Sequence, residues 1–134
     1  MKQLSLIEKA FFLKNISIFQ ELDLDFLLAI SDKVHQDIYD QEEVVFAEGQ
    51  IGHTMYLIAQ GEVALYKEKK QIRQIEKQGF FGDASLFNEK ARKHTAVCTK
   101  DSLLLLISRS ELMSIISECP NVAISLLQHY TESL

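Results

Sequence analysis

Long apolar runs are missing from this chain of 134 residues. No stretch approaches the roughly 18 apolar residues of a membrane-spanning helix, so no direct membrane insertion is expected. The longest pure aliphatic run, Leu103 to Ile107, is short enough to read as a buried strand. No secretory leader is expected either: Glu8 and Lys9 interrupt the apolar character of the N-terminus. There are two cysteines, Cys98 and Cys119, with no CxxC spacing and no nearby histidine pair. That excludes a disulfide-dense scaffold and a thiolate zinc site. Both read as free thiols in a reducing compartment, so a cytoplasmic location is expected. The four histidines are scattered, without HxH, HxxxH or HExxH spacing, and no metal site is expected. GxSxG, Walker A and GxGxxG patterns are absent, and context singles out no pair of carboxylates. The chain does not read as an enzyme, and no cofactor is expected. Positive charge is in deficit, with 14 Lys and Arg against 19 Asp and Glu and a formal net charge of −5. A nucleic-acid partner is therefore not expected, because nonspecific binding to phosphate backbones needs a net basic surface. A small, locally basic pocket remains compatible with these totals.

What is present has a clear order. The length suggests a single domain, residues 1–134. Ser5 and Glu8 match a capping box ahead of Leu6, Ile7, Ala10 and Phe11, which recur at helical spacing. Asp23 or Asp25 can cap a second helical pattern in which Leu24, Leu27 and Leu28 share a face. Helices are predicted near 5–14 and 23–33. From Val34 to Ile107 the pattern changes to seven short β-favouring runs, with turn signals every 8–12 residues, as in a sandwich or barrel. The hairpin tip "KEKKQ" contains no Gly or Asn, which leaves its turn type open. Ser108 and Glu111 repeat the capping-box pattern, and Pro120 starts another helix. In that helix Ala123, Leu126, Leu127 and Tyr130 form an apolar stripe that reads as core. The layout is a helical lead-in over about 1–33, a β-barrel over about 34–107 and C-terminal helices over about 108–134.

The stretch "GFFGDASLFNEKARKHTAV", residues 79–97, carries the most chemistry. Gly82 permits a sharp turn, and a short helical turn over Asp83 to Phe87 can follow. Its first N–H groups have no internal partners, and the small residues Ala84 and Ser85 let an anion approach them. Arg92 and Lys93 add full positive charge, and only arginine offers a fork that matches two phosphate oxygens. Asp83 does not suit an anion but suits a ligand hydroxyl, the role an acid plays on a ribose. A ligand with a phosphate and a sugar hydroxyl fits these residue types. A solvated surface loop fits the spacing alone equally simply.

The same residues carry a family pattern. "EEVVFAEGQIGHTMYLIAQGEVALY" and "GFFGDASLF", with glycines at 49, 52, 61, 79 and 82, resemble the cyclic nucleotide-binding domain of catabolite-activator-type regulators and protein kinase A regulatory subunits. The resemblance implies a mainly β fold, a jelly-roll-like (double-stranded β-helix) barrel with N-terminal and C-terminal α-helices. It implies a ligand such as cAMP or cGMP in a phosphate-binding cassette at 79–97, and an effector domain or partner protein under its control. Gly82 then corresponds to the cassette glycine and Asp83 to the acid that holds the ribose 2′-hydroxyl. Ala84 and Ser85 correspond to the residues whose backbone faces the phosphate, and Arg92 to the phosphate-pairing arginine. Lys93 and His94 stand where small residues are usual, and Ala91 where many members have proline. A register shifted by one would give Lys93 the arginine's place. These departures leave a second expectation open, a degenerate fold that binds no nucleotide and serves as a protein-interaction module.

Overall fold

A computed structural model describes residues 1–88 and 90–132. Residue 89 of the predicted cassette, and residues 133–134 of the predicted C-terminal region, lie outside the described residues. The chain resolves into two compact units, Leu4–Val34 with Ser110–Leu134, and Met1–Gln3 with His35–Arg109.

The first unit is helical: α1 (Leu6–Lys14), a 3-10 turn (Ser17–Phe19), α2 (Leu24–Ser31), then α4 (Arg109–Glu118, almost all of it in this unit) and α5 (Asn121–Glu132). The capping box at the start of α1 is present as expected. The Glu8 N–H donates to Ser5 Oγ at 3.2 Å, and the Ser5 N–H to Glu8 Oε1 at 2.9 Å. Asp23 caps α2 by accepting from the Phe26 N–H at 2.8 Å. The end of α2 is tied down by a buried lysine: Lys9 Nζ donates to the carbonyls of Ser31 and Val34.

Which helical faces are buried differs from the sequence pattern. In α1 the buried residues are Lys9, Ala10, Phe12 and Leu13, while Leu6, Ile7 and Phe11 are exposed. In α2 Leu27 and Ile30 are buried, and Leu24 and Leu28 are not. In α5 Val122 and Leu126 are buried and Leu127 is 63% exposed, so the stripe read as core is only partly core. Each of these helices carries apolar residues on more than one face. Periodicity cannot choose between such faces; tertiary contacts choose.

The second unit is all β apart from one short helix. Its strands are β1 (His35–Tyr39), β2 (Val44–Phe46), β3 (Thr54–Gln60), β4 (Glu62–Lys67), β5 (Lys70–Glu76), β6 (Phe80–Phe81), β7 (Thr95–Cys98) and β8 (Ser102–Ser108), with α3 (Ser85–Asn88) between β6 and β7. Two antiparallel four-stranded sheets run β1-β8-β3-β6 and β2-β7-β4-β5. Pairing β1 with β8, β2 with β7, β3 with β6 and β4 with β5 is the wrapping of one long hairpin, the jelly-roll connection. The expected jelly-roll-like barrel is therefore present. Phe46, Ile58, Val63, Leu65, Phe81 and Leu104, from both sheets, form the core between them. Leu103 to Leu105 are all fully buried, so β8 is covered on both faces and reads as an aliphatic run instead of an alternation.

Two β features were not legible in the sequence. β6 is two residues long, too short for any periodic signal. The β4–β5 tip places Glu68 (φ 52°) and Lys69 (φ 70°) both in the left-handed region, a type I′ geometry built without Gly or Asn. Cys98 is buried, Cys119 is half-buried, and both are free.

Candidate phosphate-binding site

The seven residues singled out in the sequence, Gly82, Asp83, Ala84, Ser85, Arg92, Lys93 and His94, all line one cavity of about 230 Å³ inside the β unit. Three local features build it. After β6 the chain turns at Gly82, whose φ of 77° is a left-handed conformation suited to glycine. A single helical turn follows: the Leu86 N–H donates to Asp83 O at 3.0 Å and the Phe87 N–H to Ala84 O at 3.3 Å. Among the described residues the N–H groups of Ala84 and Ser85 find no acceptor. Finally the segment before β7 is pinned to the 47–52 turn. The Arg92 N–H donates to Gln50 O at 2.7 Å, and the Gly49 N–H to Arg92 O at 2.8 Å.

Arg92 and Lys93 then part company. Lys93 is exposed at the cavity edge. Arg92 is 5% exposed and turned beneath the cassette. Its Nη1 donates to Gly82 O and its Nη2 to Thr54 O, both at 2.8 Å. Its Cζ lies 4.1 Å from the centroid of the Phe46 ring, a cation–π contact. Phe46 belongs to a group in which Tyr56 and Phe81 stack at 5.2 Å, an apolar floor under the charge. Room for the guanidinium comes from two missing side chains. A Cβ at Gly52 would lie 2.5 Å from Nη2, and one at Gly82 would lie 2.9 Å from Nη1. Burial pulls the Arg92 pKa down, while Tyr56 and Asp83 act the other way. An arginine stays charged throughout. Its Nε is buried and, among the described residues, has no hydrogen-bond partner.

His94 is half-buried. Burial first, then Lys67, Lys93 and Arg73, push its pKa below the ordinary value, against the opposing pull of Glu48. These surroundings favour its neutral form. The sequence reading missed several lining residues: Phe46 and Leu65 on the apolar wall, Lys90 on the rim, and Arg73 of β5. Arg73 belongs to no local motif. It reaches the cavity because β5 pairs with β4, which sets Arg73 opposite Leu65. The site therefore offers backbone donors, a buried guanidinium, an acid and an apolar wall. That combination can hold an anionic ligand with a hydroxyl and a flat apolar part. Among the described residues no group of three His, Cys, Asp or Glu could hold a metal, and no helix is long and apolar enough to cross a membrane.

Known proteins are similar to this chain in sequence and in fold. A model of the cyclic nucleotide-binding domain matches residues 36–119. The chain is 31% identical to a cAMP-dependent protein kinase regulatory subunit of Hypocrea atroviridis over 67% of its own length and 20% of the relative's. It is 29% identical to a cGMP-dependent protein kinase of Drosophila melanogaster, isozyme 2 forms cD5/T2, over 83% of its length and 13% of the kinase's. The chain thus spans a fifth or less of these relatives. Its backbone matches the crystal structure of the Thermus thermophilus catabolite activator protein with a TM-score of 0.81, over 87% of this chain and 57% of that one, at 24% identity. The family match runs through both sheets and the whole cavity-forming segment, and on it the chain belongs to the cyclic nucleotide-binding domain family.

Proposed function

We propose that this chain is a regulatory module that binds a cyclic nucleotide, cAMP or cGMP, through the cassette at 79–97. The observation that carries the reading is Arg92, a buried guanidinium held beneath the cassette turn; among the described residues its Nε has no partner and the Ala84 and Ser85 amides have no acceptor. A buried charge with a spare donor calls for an anion beside it. In this reading Arg92 and the amides of Ala84 and Ser85 receive the phosphate, and Gly82 lets the backbone approach it. Asp83 accepts from the ribose 2′-hydroxyl, and Lys93 and His94 border the phosphate from the open side. Phe46, Leu65 and Phe81 supply apolar surface for the rest of the ligand. The module is not an enzyme. It works in the cytoplasm as a single domain, by shifting the population of states of an attached effector or partner protein. Calorimetry or thermal shift with cAMP and cGMP tests it. Saturable binding is expected, and no binding of either at millimolar ligand overturns it.

One observation favours a second reading, a fold that serves only as a protein-interaction module. Both Nη groups of Arg92 already hold backbone carbonyls, so the charge is partly satisfied without a ligand. A crystal grown with excess nucleotide separates the two, since ordered ligand in the cassette refutes the second.

A further inference from the structure

The net charge of the chain is unevenly placed. The residues of the helical unit, 4–34 and 110–134, hold eight acids against three lysines, so their side chains carry the whole −5. The side chains of the β unit carry no net charge. Two of the three lysines, Lys9 and Lys14, are held by backbone carbonyls. The helical unit also contains a groove of about 280 Å³ that no cassette residue lines. Ala29 and Ile30 of α2 line one wall, and Glu111, Ser114, Ile115 and Glu118 of α4 line the other. The four α4 residues are spaced i, i+3, i+4 and i+7, the spacing of a single helix face. Ile30 and Ile115 are buried, while Ala29, Ser114 and Glu118 are exposed. The groove thus joins apolar surface to acids, on the half of the chain that holds all the excess negative charge.

We infer that this groove docks a basic amphipathic helix of a partner protein. Glu111 and Glu118 are seven residues apart, about 10.5 Å along α4, with Ser114 and Ile115 between them. A partner helix with Lys or Arg at i and i+7 and apolar residues at i+3 and i+4 repeats that spacing. Its cations meet the acids, and its apolar pair meets Ile30 and Ile115. Lys33, just past α2, is the one cation lining the groove. The volume is below the roughly 300–1,000 Å³ of a pocket for a drug-sized ligand, and suits a few side chains presented by a helix. A second copy is a poor occupant, because each copy would bring the same negative unit to the contact; an anionic membrane is repelled for the same reason. The inference does not rest on the cassette being a nucleotide site.

Fluorescence anisotropy of the full chain tests this. The probe is a labelled helical peptide of about five turns, with Lys at i and i+7 and Leu at i+3 and i+4. The controls are a scrambled peptide of the same composition and the same peptide with Glu in place of Lys. Saturable binding is expected, at least about tenfold tighter than either control and weaker at high salt. Glu118→Lys should weaken it by about fivefold, the upper range for an exposed ion pair, and Lys33→Glu should tighten it by a similar factor. Ala29→Tyr, at an exposed position, fills the groove and should weaken binding by about tenfold or more. Thermal unfolding of each variant confirms that it is folded. No saturable binding at millimolar peptide, a scrambled peptide that binds as tightly, or an affinity unmoved by Ala29→Tyr overturns the inference. Analytical ultracentrifugation covers the remaining occupant: a dimer that Ala29→Tyr dissociates would put a second copy in the groove and overturn it as well.

Discussion

Gly52→Ala adds one methyl group to a residue that touches no ligand, yet it tests the heart of the site. The φ of Gly52 lies outside the left-handed region, so alanine can adopt the backbone without strain. The new Cβ would sit 2.5 Å from Nη2, 2.6 Å from Nε and 2.8 Å from Cζ of Arg92, about 1 Å inside ordinary contact. Behind the guanidinium stand Phe46 and Gly82, so it must leave. Two charge-assisted hydrogen bonds to Gly82 O and Thr54 O go with it, each worth about 1.5–3 kcal/mol. Rehydration of the expelled charge returns much of that, so the net cost to stability is about 1–3 kcal/mol. For a chain of this size the melting temperature should fall by roughly 3–10 °C. Under the proposed function, nucleotide affinity should fall by about 2–5 kcal/mol, as it should in Arg92→Ala. The decisive measurement is the double-mutant cycle by urea unfolding. With Arg92 already gone there is nothing to displace, so Gly52→Ala should cost less than about 0.5 kcal/mol in the Arg92→Ala background. A cost that is the same in both backgrounds would mean that Gly52 does not make room for Arg92, and the account of the site would be wrong.

Asp83→Glu adds about 1.5 Å of reach; it should tighten cyclic nucleotide binding by about 1 kcal/mol, measured by calorimetry, and unchanged or weaker binding would remove Asp83 from the ribose. Glu68→Asn with Lys69→Gly puts residues that tolerate positive φ into the type I′ tip and should raise stability by about 1–2 kcal/mol in urea unfolding; no gain would mean the tip is not left-handed at both positions. The depressed His94 pKa has a defined sign. Below its ordinary 6.5 the unfolded chain binds this proton more readily than the folded one, so its contribution to stability falls as pH drops from there toward the folded value. A bound phosphate would favour the imidazolium, so ligand affinity should rise over the same window, and His94→Gln should flatten both trends.

Much of the site was legible because the cassette is local in sequence. Gly82 to Ser85 and Arg92 to His94 lie within one short segment, and turn chemistry plus residue type pointed to an anion before any contact was known. The aspartate at 83 and the bulk of Lys93 and His94 were visible as departures. Their consequences were not, since reach and crowding depend on backbone position. Arg73 and the Phe46 ring gave no local signal. They arrive through strand pairing and through packing between the two sheets, across tens of residues of chain. In the helices the elements themselves were legible from caps and spacing, but the buried faces of α1, α2 and α5 were not.

By itself the sequence determined the succession of the helices and of every strand but β6, the turn at Gly82 and the residue types of an anion pocket. These depend on backbone preference and short-range spacing, which neighbouring residues control. The tertiary structure decided which of two adjacent cations is buried. Arg92 and Lys93 differ by one position, and along the chain either could face the cassette. Only the fold brings Gly52, Gly82 and the Phe46 ring together into a slot that a planar guanidinium fills, with two carbonyls at its end. That slot is made of two glycines and of backbone oxygens from separate strands and turns; the glycines are visible in the sequence, but their meeting around one guanidinium is not.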